Sequence, residues 1–164
     1  MQITRLRETK GALQDNTTLQ VRQALTSQAA RATLTTAGSI TDYYLSLCKS
    51  GHPQRPELED YITRRYARRH QAAIDHYLPH LLALKNGQRT DAAVGLNSAL
   101  KQAFFLEAYL DKPVEQVISQ QLCTPVDRAG IIEIGNLAAS QRSASTLLFT
   151  LLSALLDQAG YRWI

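Results

Sequence analysis

The chain has 164 residues, 45% of them hydrophobic and 20% charged. That supplies one globular domain with enough apolar material for a core, and it excludes a disordered or collagen-like chain. The net charge of +4 sits mainly in residues 1–40, where Arg5, Arg7, Lys10, Arg22 and Arg31 face only Glu8 and Asp15, so the nearly neutral remainder argues against a nucleic-acid surface.

Residues 1–40 are rich in Thr and Gln, with a weakly helical stretch around Leu19–Ala32, and read as an N-terminal extension or linker before a domain over residues 41–164. The N-terminus has charges but no apolar run of signal-peptide length, so a cytoplasmic location is expected. Tyr43–Cys48 is apolar and β-prone and is stopped by Ser50-Gly51-His52-Pro53, which predicts a first strand. After Pro56, acidic Glu57, Glu59 and Asp60 precede Arg64, Arg65, Arg68 and Arg69, the charge order that suits a helix dipole. Leu58, Tyr61, Ile62 and Tyr66 give that helix an apolar stripe, and its arginines read as a solvated face.

His80–Leu84, the Asn86-Gly87 turn and Ala92–Leu96 predict a hairpin, because Asn and Gly both tolerate the positive φ of a tight turn. Val114–Leu122 reads as a short helix with Pro113 near its first turn. Gly130–Ala138 reads as a central strand in which Gly135 marks a bulge or a close backbone approach. From Ser140 a helix follows with apolar positions at 144, 147, 148, 151, 152, 155 and 159, expected to be buried over most of its circumference. Its apolar stretch Leu147–Leu156 is far short of the ~20 residues of a membrane span. Gly160 caps this helix, and Tyr161–Ile164 begins a further strand, so the last three elements predict a parallel strand-helix-strand unit. Cys48 and Cys123 lack CxxC spacing and read as reduced, packed thiols. His52, His70, His76 and His80 show no ligand spacing, and no metal site is expected.

His52-Pro53-Gln54-Arg55, Pro79–Leu84, Ala92–Leu96, the Phe105–Pro113 segment with Glu115, and above all Ile132-Glu133-Ile134-Gly135-Asn136-Leu137-Ala138 carry a family likeness. Over residues 42–164 the chain resembles the thermostable hemolysin family, which is related to the GNAT-type acyltransferases. The resemblance implies an α/β fold, a GNAT-like mixed sheet with helices on both faces, cut short after its fifth strand. It also implies that the helix from Ser140 receives a pyrophosphate at its N-terminus, where free N–H groups and the dipole favour an anion. Leu137, Ala138, Gln141, Arg142, Ser143 and Ala144 would form that site. The stretch Ser140–Ser145 has the Gln and Arg of the acyltransferase pattern but no glycine.

On the same resemblance Glu133, Asn136 and Tyr109 are the catalytic candidates. Glu133 is either a substrate-orienting carboxylate or general base, or a strand residue bound to a neighbouring Arg. Asn136 either presents its amide to a substrate carbonyl or ties off the bulge. Tyr109 is either a general acid or an aromatic packed under a turn. The implied activity is N-acyl transfer in a cleft between the Glu133 and Trp163 strands, with acyl-coenzyme A or an acyl carrier protein as co-substrate, an amine as acceptor, and no tightly bound cofactor. Two other classes stand beside it: a non-catalytic protein that pairs with a partner chain or itself through an exposed C-terminal edge strand, and a membrane-active cytolytic protein.

Overall fold

Successive side chains of a strand point to opposite faces, and in the run Leu81–Leu84 that alternation divides the molecule into layers. The computed structural model describes residues 29–36, 39–98 and 103–164. They form a sheet in the order β1 (Ala29–Thr36), β2 (Ser39–Lys49), β3 (His80–Asn86), β4 (Arg89–Ser98) and β5 (Ile132–Ala139), each strand antiparallel to the next. Three α-helices accompany it: α1 (Arg55–His70), α2 (Val114–Leu122) and α3 (Arg142–Gln158). Leu82 and Leu84 join Leu45, Val94, Leu148 and Leu152 in a core under α3. Leu81 and Ala83 join Cys48, Ala93, Ala138, Leu58 and Ile62 in a second core under α1. Helices therefore cover both faces.

The strand, helix and hairpin expectations from residue 43 onward hold, with differences that have physical causes. The sheet is antiparallel through all five strands, and the mixed pairing shrinks to one parallel bridge between Ile131 and Trp163. The segment after α3 reaches the sheet only beside the start of β5, where the Ile132 N–H donates to the Trp163 carbonyl and the Trp163 N–H to that of Gly130. For the same reason β5 is the last strand in the order rather than a central one. Ala29–Ala32 are strand, not the end of a helix: they run into β-prone Thr33–Thr36 and pair with Tyr43–Ser46. The rest of that stretch, residues 19–28, lies outside the described residues.

α1 carries its charges as expected, with Asp60 and Arg64 paired at 2.8 Å on the exposed face. It ends where Gln71 turns left-handed at φ 52. The hairpin turns on Gly87 at φ 56. α3 keeps one side open: Ser143, Phe149 and Ser153 are exposed, because the sheet receives only the stripe of Ala144, Leu148, Leu152, Leu155 and Leu156. Its exit is a Schellman motif, in which the Gly160 N–H donates to Asp157 O, the Tyr161 N–H donates to Leu156 O, and Gly160 takes the required positive φ of 86°. Cys48 is buried as expected, whereas Cys123 is exposed at the left-handed end of α2. No helix among the described residues is long and apolar enough to cross a membrane.

Candidate functional site

The last strand departs from regularity where the sequence places its bulge. Ala93 faces Ala138 and Gly95 faces Gly135, so β5 spends two residues, Asn136 and Leu137, opposite Val94. Asn136 adopts φ 49, a left-handed conformation that Asn tolerates better than most residues. Its side chain uses both ends: Oδ1 accepts from the Leu78 N–H at 2.9 Å and Nδ2 donates to His76 O at 3.0 Å. The amide ties the bulge to the loop between α1 and β3. Gly95 makes room for it, since a Cβ there would lie 2.7 Å from Asn136 Oδ1.

Beyond the bulge, β5 ends in a pocket of about 400 Å³. Its walls are Arg65, Tyr66, Arg69 and His70 of α1, residues 137–141 at the end of β5, and Arg142 and Ser145 of α3. The i, i+4 spacing of Arg65/Arg69 and Tyr66/His70 puts these four on one face of α1. Arg65 donates through Nη2 to the carbonyls of Ala139 and Ser140, while its buried Nε–H has no partner among the described residues. The Ser140 N–H is used by Asp91 O, and the first turn of α3 opens beside the arginines. The wall is cationic, with no carboxylate among its described residues. Cationic side chains and a helix N-terminus together suit an anion.

The other end of β5 borders a second cavity, of about 340 Å³, between Ile131–Ile134 and the Trp163-Ile164 segment. Phe104, Leu106, Val114 and Ile118 complete its apolar wall, and Glu133 and Tyr109 stand at it. Glu133 accepts the backbone N–H groups of Phe105 at 3.1 Å and Leu106 at 2.9 Å, and the Asn97 amide at 3.2 Å. It holds the entry of the 3-10 turn Phe105–Tyr109 and is bound to no Arg among the described residues.

That turn is fastened from its other side by an ionic cluster. Arg128 donates to both oxygens of Glu107, at 2.5 and 2.8 Å, and to Glu115 at 2.5 Å, with its guanidinium 5.0 Å from the centre of the Phe104 ring. The Arg128 hydrogen bonds, opposed by burial and helped by the Val114 and Phe104 N–H groups, pull the Glu107 carboxyl down to about 2. The same two carboxylates push the Arg128 guanidinium up.

The structure brings Glu133 and Tyr109 together at the apolar cavity and sets Asn136 apart, on the loop side of β5. Tyr109 is 73% exposed, not packed under a turn, with its ring edge-on to Phe105. Leu137, Ala138, Gln141 and Arg142 line the cationic pocket, whereas Ser143 is exposed outside it and Ala144 is buried in the core under α3. Arg64 and Arg68 are exposed, as a solvated face requires, but Arg65, Tyr66, Arg69 and His70 enter the site unforeseen. The pairing of two basic residues with two ring-bearing ones at i, i+4 was the available signal. His52 caps its turn by accepting the Gln54 N–H at 3.2 Å, and no group of described residues is arranged to hold a metal ion.

An antiparallel sheet between helices, with a cationic pocket and an apolar cavity at opposite ends of one bulged edge strand, defines a mixed α/β domain with two clefts on a single strand. The family model for thermostable hemolysin matches residues 48–164, and the chain belongs to that family. No curated protein and no solved structure matches it.

Proposed function

We propose that the protein binds an acyl thioester carried on a phosphate-bearing group, coenzyme A or the pantetheine of an acyl carrier protein, and transfers the acyl group to an amine. The observation that carries this reading is the convergence of Arg65, Arg69 and His70 with the first turn of α3 in one pocket that has no carboxylate among its described residues. Phosphate oxygens are the ligands such a wall suits, with Arg142 as a further donor.

From that pocket the outer side of β5 leads to Glu133, and beyond Ile132 no described strand pairs with it. Its backbone can receive the amides of a pantetheine arm as an added strand would. The thioester carbonyl then lies near Glu133 and Tyr109. The amine nitrogen bonds to the carbonyl carbon, the C–S bond breaks, Glu133 takes the amine proton, and the departing sulfur takes a proton from the Tyr109 hydroxyl. No covalent enzyme intermediate is needed, and positioning supplies much of the rate.

Calorimetric titration with coenzyme A, acyl-coenzyme A and acyl carrier protein tests the reading. Binding of one of these should weaken about tenfold in Arg69→Ala, the loss of one charge-assisted hydrogen bond, and should weaken further with salt. Absence of binding by all three overturns it.

A further inference from the structure

The apolar cavity has a size and a wall chemistry that select among thioesters. We infer that it is a chamber for a straight aliphatic chain of roughly eight to ten carbons presented on a neutral head, so that the donor is a medium-chain acyl thioester rather than an acetyl one. This rests on the thioester reading above.

Three observations carry the inference. The first is volume: the cavity measures about 340 Å³. A methylene takes about the same 30 Å³ as a water molecule, so the space is far larger than an acetyl group needs and holds a chain of about ten carbons. The second is the lining. Phe104, Leu106, Val114, Ile118, Ile134 and Trp163 offer hydrocarbon and ring surface to a chain, with no cation or amide side chain among the described lining residues.

The third is charge. Among the described lining side chains the carboxylate is Glu133, held in place by Phe105, Leu106 and Asn97. A fatty acid entering with its own carboxylate would meet it as a like charge, whereas a thioester or an alcohol would not. The wall is also fixed before a ligand arrives. Phe104 precedes and Leu106 lies within the turn that Glu133 and Glu107 hold, and Arg128 ties Glu107 to Glu115 on α2, the helix that supplies Val114 and Ile118.

Trp163 is the single tryptophan of the chain and part of the wall, so its emission reports filling of the chamber. The experiment titrates the full chain with coenzyme A and its acetyl, butyryl, octanoyl and dodecanoyl thioesters, and separately with octanol and octanoate. Affinity should rise about tenfold for each added pair of methylenes up to eight to ten carbons and then level off. Octanol should shift the Trp163 emission at concentrations where octanoate does not. Ile118→Phe should bring octanoyl-coenzyme A down to the affinity of the acetyl thioester. Ile134→Phe, at a half-buried position, should do the same if the first variant unfolds.

Equal affinity for acetyl and octanoyl thioesters, or octanoate binding as well as octanol, overturns the chamber and leaves the thioester reading standing. Octanol binding with no response to any coenzyme A compound supports the chamber and, if acyl carrier protein also fails to bind, overturns the thioester reading. Silence towards every probe overturns both.

Discussion

Glu107 carries more of the structure than any other charged residue described, because four donors converge on it from three segments: the Phe104 and Val114 N–H groups and the two Arg128 nitrogens. Its carboxyl titrates near 2 in the fold, against an ordinary value near 4.5. A depressed folded value means that its contribution is fully present above about 4.5 and is lost as the pH falls towards about 2. Glu107→Gln keeps the shape but removes the charge from a half-buried Arg. It is expected to lower stability by about 2–3 kcal/mol at neutral pH, measured by urea unfolding. The gap between variant and native chain should narrow on acidification through that window. A gap that stayed constant down to pH 2 would show that the charge is not the source.

At the scale of elements, the bulge of β5 and Gly95 of β4 act as one piece. A methyl at Gly95 would press on Asn136 Oδ1 and on Leu78 Cβ, 3.0 Å away, both parts of the connection to the loop before β3. Gly95→Ala is expected to cost about 1–3 kcal/mol in thermal or denaturant unfolding. Adding Asn136→Gly, which keeps the left-handed backbone and removes the amide, should cost less than the sum of the two single changes. Strict additivity would separate the glycine from the bulge.

The positions of the elements were legible in the sequence because β2, the hairpin, α1, α2 and α3 each carry their own period, breaker or charge order. The bulge was legible for the same reason, through Gly135 in a β-branched run. What the sequence did not reveal depends on residues distant along the chain. Two of the three partners of Glu133 are backbone amides, of residues 105 and 106, which carry no side-chain signal. Arg65 and Arg69 resemble their solvated neighbours Arg64 and Arg68 until the end of β5 is laid beside them.

Across the whole molecule the sheet separates two cores that share strands but not side chains. Ile62 of α1 and Leu148 of α3 are both fully buried, on opposite faces of the sheet. Each changed to Ala should cost about 2–5 kcal/mol. Because the sheet lies between them, the double variant should match the sum within ~0.5 kcal/mol in urea unfolding. A larger departure would mean that the faces repack through the strands. The exit of α3 carries a consequence of its own. The helix starts beside the cationic pocket and Gly160 stops it where Trp163 can reach Ile131 at the apolar cavity, so its residue count works as a ruler between the two clefts. One inserted residue would advance the exit by about 1.5 Å and turn it by about 100°, carrying Trp163 off β5. The exposed side of that helix is thus free to vary in chemistry, while its length is fixed by the distance it measures.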